Sequence, residues 1–382
     1  MTDLNAQSLT PGKTAPVGSQ PGAPAVAPIS HRALVQEINP NASSSTWRGL
    51  ALFVGDFSLY WAGVLGVIFF PELWMKLAAA CLSGIKLAGL ATLAHDAAHG
   101  SLTRSPRLNW LLGVLSFMPC LFNYRLWVYD HHMLHHPNVN SDHPDSYVPL
   151  SKAQFDALPA WKQWRERFYR SHGFGLSFGI YYTFQRWWQV KFFPREFLPE
   201  RYRASAWRHF VFLLAYLVGL LALLLSAPSF APVDTITALL VGFVLPFYIW
   251  MTLMAFTLYS QHTDPKLPWF REPVERDEFA RQEYLSVDLV FPRLLSVAVH
   301  NVYHHAIHHV HPRVPCYRTE AAQLRMNQLL GDRAVVSKFS IRWLRDTMRR
   351  CKLYDYERHC WTDFEGRPTS GVATIYERAA SP

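Results

Sequence analysis

The chain has 382 residues, of which 50% are hydrophobic and only 17% are charged. Soluble domains carry about 25% charged residues, so this composition excludes an ordinary soluble domain and favours an integral membrane protein. The formal net charge is +9, but the sequence shows no recognisable nucleic-acid-binding module. We therefore assign the excess of Lys and Arg to loops and to the headgroup layer of a membrane.

The first 44 residues predict a flexible tail, because Pro, Gly, Ala and Ser dominate its beginning. This tail lacks the basic start and apolar core of a signal peptide. The main domain is predicted to cover residues 45–360, and a second tail residues 361–382. The five cysteines form no C-x-x-C pair, so we expect reduced thiols and neither a disulfide framework nor a zinc–thiolate site.

Four stretches approach the about 20 apolar residues that a membrane-spanning helix needs. They cover residues 49–70, 74–94, 210–225 and 235–259. Pro71 and Glu72 mark a turn between the first two, and a Ser/Ala/Pro-rich stretch at 226–232 separates the second two, so the sequence predicts two hairpins. Lys and Arg concentrate in residues 95–208 and after residue 260, which predicts by the positive-inside rule that these segments face the cytoplasm.

Three shorter stretches predict helices at the membrane surface. Residues 108–122 are too few to cross a bilayer undistorted, and a crossing would place neighbouring histidine clusters on opposite faces. Residues 161–165 and 186–191 mix Trp with basic residues, as amphipathic helices in the headgroup layer do. Ordinary solvated helices are the alternative interpretation of these two stretches.

The first predicted hairpin carries two ionisable residues inside its apolar helices. Asp56 and Lys86 fall at similar depth if the two helices are antiparallel. Charges inside a membrane are costly and tend to pair, so the sequence predicts an ion pair between them. The alternative is that each side chain faces water or headgroups separately.

Twelve of the 18 histidines lie in three short clusters, at residues 95–99, 131–136 and 300–311. Imidazole is the commonest metal ligand in proteins, and spacings of three and four residues place side chains on one helix face. The histidines with that spacing are His95 and His99; His132, His135 and His136; and His305, His308 and His309. So many imidazoles predict two metal ions, but they suit zinc, copper, iron and nickel alike.

The predicted fold class is an all-α integral membrane protein. It has four transmembrane helices in two hairpins, interfacial helices, and a cytoplasmic domain in which histidines surround two metal ions. All three histidine clusters lie on one face, because each hairpin returns the chain to its starting side.

The three clusters, their order and their relation to the two hairpins resemble the membrane fatty acid desaturase superfamily, over about residues 45–360. The segment H-D-A-A-H-G-S at 95–101 is similar to the first histidine box of its acyl-lipid Δ12/ω-6 branch. Further segments that resemble this branch are Asp142 to Pro149, Gln261 to Asp264, His300-Asn301 and Cys351 to Asp355.

The resemblance implies an O2-dependent oxidoreductase with two iron ions, which introduces a double bond into an acyl chain. It implies nine iron ligands: His95, His99, His132, His135, His136, His262, His305, His308 and His309. Six flanking residues have a less definite role. They would orient a ligand histidine or bind a water molecule, or, for the histidines, replace a neighbouring histidine as the ligand: Asp96, His131, His300, Asn301, His304 and His311.

The resemblance also implies partners. The substrate would be an acyl lipid or acyl-CoA whose chain enters a tunnel from the bilayer, where each buried CH2 contributes about 0.8 kcal/mol. The sequence has no H-P-G-G haem segment, no G-x-G-x-x-G and no ferredoxin-like cysteine run. A separate electron donor, a ferredoxin or a cytochrome b5-like protein, is therefore expected, and a basic cytoplasmic face favours an acidic one.

Two other functions remain open at this point. A lipid hydroxylase or other oxygenase on the same scaffold shares the first hydrogen abstraction, so the histidines do not separate it from a desaturase. A membrane metal transporter would place its ligands within the spans, near the bilayer midplane. The histidines instead lie at the ends of the predicted helices, which disfavours transport.

Overall fold

A computed structural model of the chain describes residues 29–171, 176–195, 198–279 and 282–373. The first nine helices are α1 (His31–Ile38), α2 (Thr46–Phe69), α3 (Leu73–Ala98), α4 (Pro106–Phe117), α5 (Tyr124–Tyr129), α6 (His136–Asn138), α7 (Lys152–Asp156), α8 (Ala160–Tyr169) and α9 (Leu176–Tyr181). The others are α10 (Glu200–Ser226), α11 (Thr235–Leu239), α12 (Leu245–His262), α13 (Pro273–Phe279), α14 (Arg293–Ala298), α15 (Ala306–Val310), α16 (Cys316–Leu330) and α17 (Ile341–Arg350). Three π-helical segments, Asp130–His135, Tyr182–Phe192 and Leu240–Val244, continue α5, α9 and α11.

Four helices of the described residues are long and apolar enough to cross a membrane: Thr46–Phe69, Leu73–Ala98, Glu200–Ser229 and Thr235–His262. They contain the four apolar stretches found in the sequence except for Phe70 at the end of the first, which confirms a mostly helical protein with four candidate spans. The third helix begins about ten residues before its apolar stretch, because the polar residues from Glu200 to Arg208 continue the same helix. Helix α2 ends just before Pro71, since proline cannot donate the backbone bond that would extend it.

Helices α2 and α3 pack antiparallel. The Lys76 ammonium donates to the carbonyl of Val67 over 2.9 Å near one end of the pair. Further along, Lys86 Nζ lies 2.8 Å from Asp56 Oδ1, and both side chains are buried. The predicted ion pair is therefore confirmed.

The surface-helix predictions have different outcomes. Helix α4 has only 12 residues and packs on α3. In α8, Trp161 and Trp164 are exposed, as a headgroup helix requires. In the stretch at 186–191 the prediction is wrong for its basic residues, because Arg186 and Lys191 turn inward to a buried carboxylate. An inward carboxylate partner is a tertiary feature that composition does not reveal.

Within the described residues, the part of the chain that follows α13 contains two small two-stranded sheets. Strand β1 (Asp288–Val290) pairs in parallel with β2 (Val336–Lys338), and β3 (Leu353–Asp355) pairs antiparallel with β4 (Cys360–Thr362). Trp361 is fully buried and its indole N–H donates to the carbonyl of Asp264 over 2.9 Å. The chain just beyond residue 360 therefore packs against the segment that follows α12.

Candidate metal centre

Four parts of the chain bring histidines together: the end of α3, the π-helix after α5, the end of α12, and α15. Within the described residues, two groups of four histidines have ligand nitrogens that all lie within 4.8 Å of one another. The first histidine group is His95, His99, His131 and His308, and the second histidine group is His135, His262, His305 and His309. His131 is the one member of these groups that the predicted ligand set does not contain.

The second cluster of the sequence lies on a π-helix, which explains how His131 reaches the first group. A π-helix closes its hydrogen bonds five residues apart and often occurs at functional sites. His136 donates its backbone N–H to the carbonyl of His131, and their Nε2 atoms lie 3.1 Å apart. The wider turn places His131 in the first group and His135 in the second, where α-helical spacing had predicted a face of His132, His135 and His136.

The third cluster divides between the two groups. His305 and His309 bring their Nε2 atoms within 3.0 Å of each other. His308 turns the other way, and its Nε2 atom lies 3.2 Å from that of His95 at the end of α3. One short helix thus supplies both groups, so the two groups lie side by side.

His132 and His136 lie beside the two groups. The ring centroid of His132 lies 4.3 Å from that of His99. The Nε2 atom of His136 lies 3.0 Å from that of His308, and its ring centroid lies 4.9 Å from that of His309. His136 therefore sits between the groups, within reach of both.

Burial keeps these imidazoles neutral. Burial, and then the neighbouring histidines, lower the pKa of His132 to about 4 and that of His136 to about 2. The same causes in the same order hold the pKa well below its ordinary value at His131, His305, His308 and His309. A neutral imidazole has the free lone pair that binds a metal ion, so the electrostatics favour metal binding over proton binding.

Carboxylates on the outer side of two rings hold their Nδ1 atoms. Asp96 Oδ1 lies 3.1 Å from Nδ1 of His95, and Asp145 Oδ2 lies 2.5 Å from Nδ1 of His135. Asp96 is itself fixed, because its Oδ2 atom accepts the backbone N–H of Cys316 over 2.5 Å. Such acceptors hold the proton on Nδ1, leave Nε2 as the ligand atom and raise its basicity.

Behind Asp145 the structure shows a buried network of charged side chains that the sequence did not predict. Arg186 Nη2 lies 3.0 Å from Asp130 Oδ1 and 3.6 Å from Asp145 Oδ1, and Lys191 also pairs with Asp130. Burial raises the pKa of Asp145, but His135 and Arg186 outweigh it and hold that pKa below its usual value. The available signal was the acidic residue directly before the second histidine cluster.

Four other flanking residues bond to partners outside both groups. These pairs are His300 with Asp56, Asn301 with Ser296, His304 with Asp288 and His311 with Asn39. Their side chains are held by elements that surround the centre, while the eight grouped histidines face one another.

An apolar cavity opens from the histidine groups. It is lined by Ala88 of α3, by Trp250 and Met254 of α12, and by residues 299–303. Ala88 precedes His95 by about two helical turns, roughly 10 Å along α3 at about 1.5 Å per residue. Most of the cavity surface is apolar, and charged side chains such as Asp130, Arg186 and Lys191 line only part of it. Such a cavity suits a hydrocarbon chain better than a polar metabolite.

The residues of the two groups fit bound metal ions. In the described part of the chain, five buried Nε2 atoms have no hydrogen-bond partner; four belong to this centre, at His99, His132, His135 and His262, and the fifth is that of His209 on α10. Buried polar atoms normally have a partner, so the four nitrogens of this centre are expected to bind a ligand. Imidazole nitrogens are a donor set that iron accepts, as zinc, copper and nickel also do.

Four helices long and apolar enough to cross a membrane, a buried histidine cluster that fits metal ions and an apolar cavity beside it are together typical of a membrane enzyme that binds metal and acts on an apolar substrate. The family model of the fatty acid desaturases matches residues 72–339, and the chain belongs to this family. It is therefore a fatty acid desaturase, an oxidoreductase of lipid metabolism, as the resemblance of the histidine clusters implied.

Named relatives agree with the resemblance to the acyl-lipid Δ12/ω-6 branch. The chain is 24% identical to an omega-6 fatty acid desaturase of Spinacia oleracea chloroplasts, over 84% of this chain and 67% of that protein. It is 26% identical to an sn-1 oleoyl-lipid 12-desaturase of a Picosynechococcus species, over 85% and 88%. It is 25% identical to an sn-1 acyl-lipid omega-3 desaturase (ferredoxin) of a Nostoc species, over 69% of each chain.

Proposed function

We propose that this protein is an O2-dependent acyl-lipid desaturase with two iron ions, which introduces a double bond into a membrane lipid's acyl chain using electrons from a separate donor. The observation that carries this proposal is the pair of adjacent four-histidine groups, which together line part of an apolar cavity. The names of the relatives, which act on oleoyl or acyl lipids, support a lipid-bound acyl chain as the substrate.

The proposed iron ligands are the nine histidines predicted from the sequence, joined by His131. The first histidine group would hold one iron and the second histidine group the other. His132 and His136 lie close enough to add further nitrogens to these ions. Bound iron would supply the activation of O2 that removal of hydrogen from an unactivated alkyl chain requires.

The protein's own residues contribute binding, orientation and exclusion of water. The cavity binds an acyl chain by burial, and Ala88, Trp250 and Met254 shape it. Asp96 and Asp145 hold the Nδ1 protons of His95 and His135, so each Nε2 atom keeps its lone pair toward the centre. Burial keeps protons from competing for the ring nitrogens of His131 and His309 near neutral pH.

We also propose that the histidine groups face the cytoplasm. The basis is the positive-inside distribution of Lys and Arg. Glu72 in the turn between α2 and α3 and Glu320 in the second turn of α16 are both exposed, and they would then lie on opposite sides of the membrane. In intact cells, a membrane-impermeant thiol reagent should label Glu72→Cys and spare Glu320→Cys, with the unmodified chain as background. Labelling of Glu320→Cys without labelling of Glu72→Cys would refute this orientation and indicate the opposite one.

An acidic ferredoxin is the proposed donor, as the name of the Nostoc relative suggests. Helix α17 presents exposed Arg342, Arg345 and Arg349, and exposed Lys338 lies just before it. Salt screens such charges, so electron delivery by an acidic donor should slow as ionic strength rises. Delivery that does not change with salt would refute an electrostatic docking step.

The deciding experiment is expression in a host that lacks polyunsaturated lipids, followed by mass-spectrometric mapping of double bonds in each lipid class. A new double bond in intact lipid is the expected result. A hydroxylated product without a new double bond would instead establish an oxygenase.

Ligand variants accompany this experiment. His135→Ala and His308→Ala each remove one imidazole from one group and should abolish both product and bound iron. His143→Ala is the matched control, because its side chain is 41% exposed and faces Glu272 at 3.6 Å. Wild-type activity in either ligand variant would overturn the ligand assignment.

A further inference from the structure

Asp56 carries two partners at once, of which the sequence predicted only one. Its Oδ1 atom accepts from Lys86, and its Oδ2 atom lies 2.7 Å from Nε2 of His300. All three side chains are at least about nine-tenths buried. The ion pair of α2 and α3 therefore extends to the loop that follows α14.

The backbone of that loop is held by the same helix. Lys86 Nζ also donates to the carbonyl of Ala298 over 3.2 Å. One and a half turns further along α3, the hydroxyl of Thr92 lies 3.1 Å from the carbonyl of Val299 and shares its one hydrogen between that oxygen and the carbonyl of Ala88, also at 3.1 Å. Carbonyl groups at membrane depth need such donors, because lipid offers none. Two side chains of one helix thus fix two successive peptide units of the loop.

The loop needs this support because its backbone is strained. His300 and Asn301 have φ values of +55° and +58°, in the left-handed region that non-glycine residues rarely occupy. Conformations of this kind persist only where surrounding contacts impose them, and they cluster at functional sites. The contacts with Asp56, Lys86 and Thr92 supply that constraint.

This loop is a wall of the substrate cavity. Residues 299–303 line the cavity together with Ala88 and Thr92 of α3 and with His95 and His308 of the first histidine group. A shift of the wall would change where an acyl chain lies relative to the histidine groups. The close packing at Gly89 leaves little room for such a shift, since a Cβ atom there would lie 2.1 Å from Asp56 Oδ2 and 3.2 Å from the carbonyl of Ala298.

We propose that Asp56, Lys86 and His300 are positioning residues that hold the 298–301 loop against α3 and thereby set which carbon of the acyl chain is desaturated. The inference rests on the proposed function. In this role the three residues act through the shape of the cavity wall and not through contacts with the histidine groups. Their loss should therefore move the double bond along the acyl chain.

The test compares product positions in four variants expressed in a host without polyunsaturated lipids. Asp56→Asn and Lys86→Met break the ion pair, and Lys86→Arg restores a cation. Lys76→Met is the matched control, because Lys76 is an equally buried lysine of α3 that bonds to Val67, away from the cavity. Mass spectrometry gives the fraction of product whose double bond lies at a carbon other than the wild-type position.

In Asp56→Asn and Lys86→Met that fraction should rise at least threefold, while Lys86→Arg returns it toward the wild-type value. Lys76→Met should alter the amount of product and leave its position unchanged. An unchanged position in both neutralising variants, or an equal shift in Lys76→Met, would refute the inference. A wild-type chain that forms no double bond would instead refute the proposed function.

If Asp56→Asn and Lys86→Met both accumulate but form no product, a further variant, Gly89→Ala, tests the inference. This substitution keeps every charge and forces Asp56 and the Ala298 carbonyl away from α3. A shifted double-bond position in this variant supports the role of the wall, and a wild-type position refutes it.

Discussion

Replacing Asp145 with Asn tests whether the outer carboxylate tunes the second histidine group. Asp145 Oδ2 lies 2.5 Å from Nδ1 of His135, so the substitution removes the charge that holds the imidazole proton and keeps the size of the side chain. Arg186 keeps its 3.0 Å bond to Asp130, so the buried guanidinium stays paired. The protein should therefore fold, and the effect should appear in metal binding.

Loss of such an outer partner typically lowers metal affinity about 10- to 100-fold, which corresponds to about 1.4–2.7 kcal/mol. The measurement is the amount of iron that the purified protein retains as an iron chelator is titrated. Asp145→Asn should lose iron at a chelator concentration about 10- to 100-fold lower than the unmodified protein does.

Asp288→Asn is a demanding control for this prediction. Asp288 holds Nδ1 of His304 at 2.6 Å, and its side chain is more buried than that of Asp145. His304 lies outside both histidine groups, so the control should disturb packing at least as much and leave iron binding unchanged. Equal iron loss in the two variants would mean that the effect comes from general destabilisation and would refute the assigned role of Asp145.

Three further predictions concern the ligand register, the cavity and the pH dependence of stability. His131→Ala should lower bound iron, because the π-helix places His131 in the first histidine group, while His143→Ala should leave iron unchanged; equal iron contents would refute this placement. Ala88→Leu should fill part of the cavity and displace about two methylenes, which costs about 1.6 kcal/mol and lowers the activity on long acyl chains more than on short ones; an equal loss on both would contradict the cavity as the acyl site. Burial, and then the charge of Arg170, lower the pKa of Lys352 to about 8, against about 10.4 in an unfolded chain. Between these pH values the unfolded chain binds more protons, so the unfolding free energy should rise with pH from about 8 to about 10 by at most about 3 kcal/mol and stay level just below 8. Thermal unfolding followed by Trp fluorescence should show this slope in the unmodified chain and lose it in Lys352→Met, and a slope that survives the substitution would contradict the assignment.

Local sequence signals were sufficient to predict the candidate spanning helices and one contact between them, that of Asp56 with Lys86. Long apolar runs interrupted by Pro71 predict helices that end there, since neither hydropathy nor the missing proline N–H depends on distant residues. The pairing of Asp56 with Lys86 could be predicted because two charges at similar depth in an apolar hairpin have few other ways to avoid the desolvation cost. The third partner, His300, lies more than 200 residues along the chain, and no local pattern joins it to them.

The sequence by itself determined that this protein is helical, with four candidate membrane spans and a histidine-rich candidate metal centre, because apolar length and ligand spacing are local properties of the chain. Only the tertiary structure decided how the histidines are shared between two groups. The π-helix gives His131 to one group and His135 to the other, and α15 divides His308 from His305 and His309. The physical reason is that helix type and ring direction depend on packing against distant segments, such as Asp145 and the end of α12, whose approach is set by the whole fold.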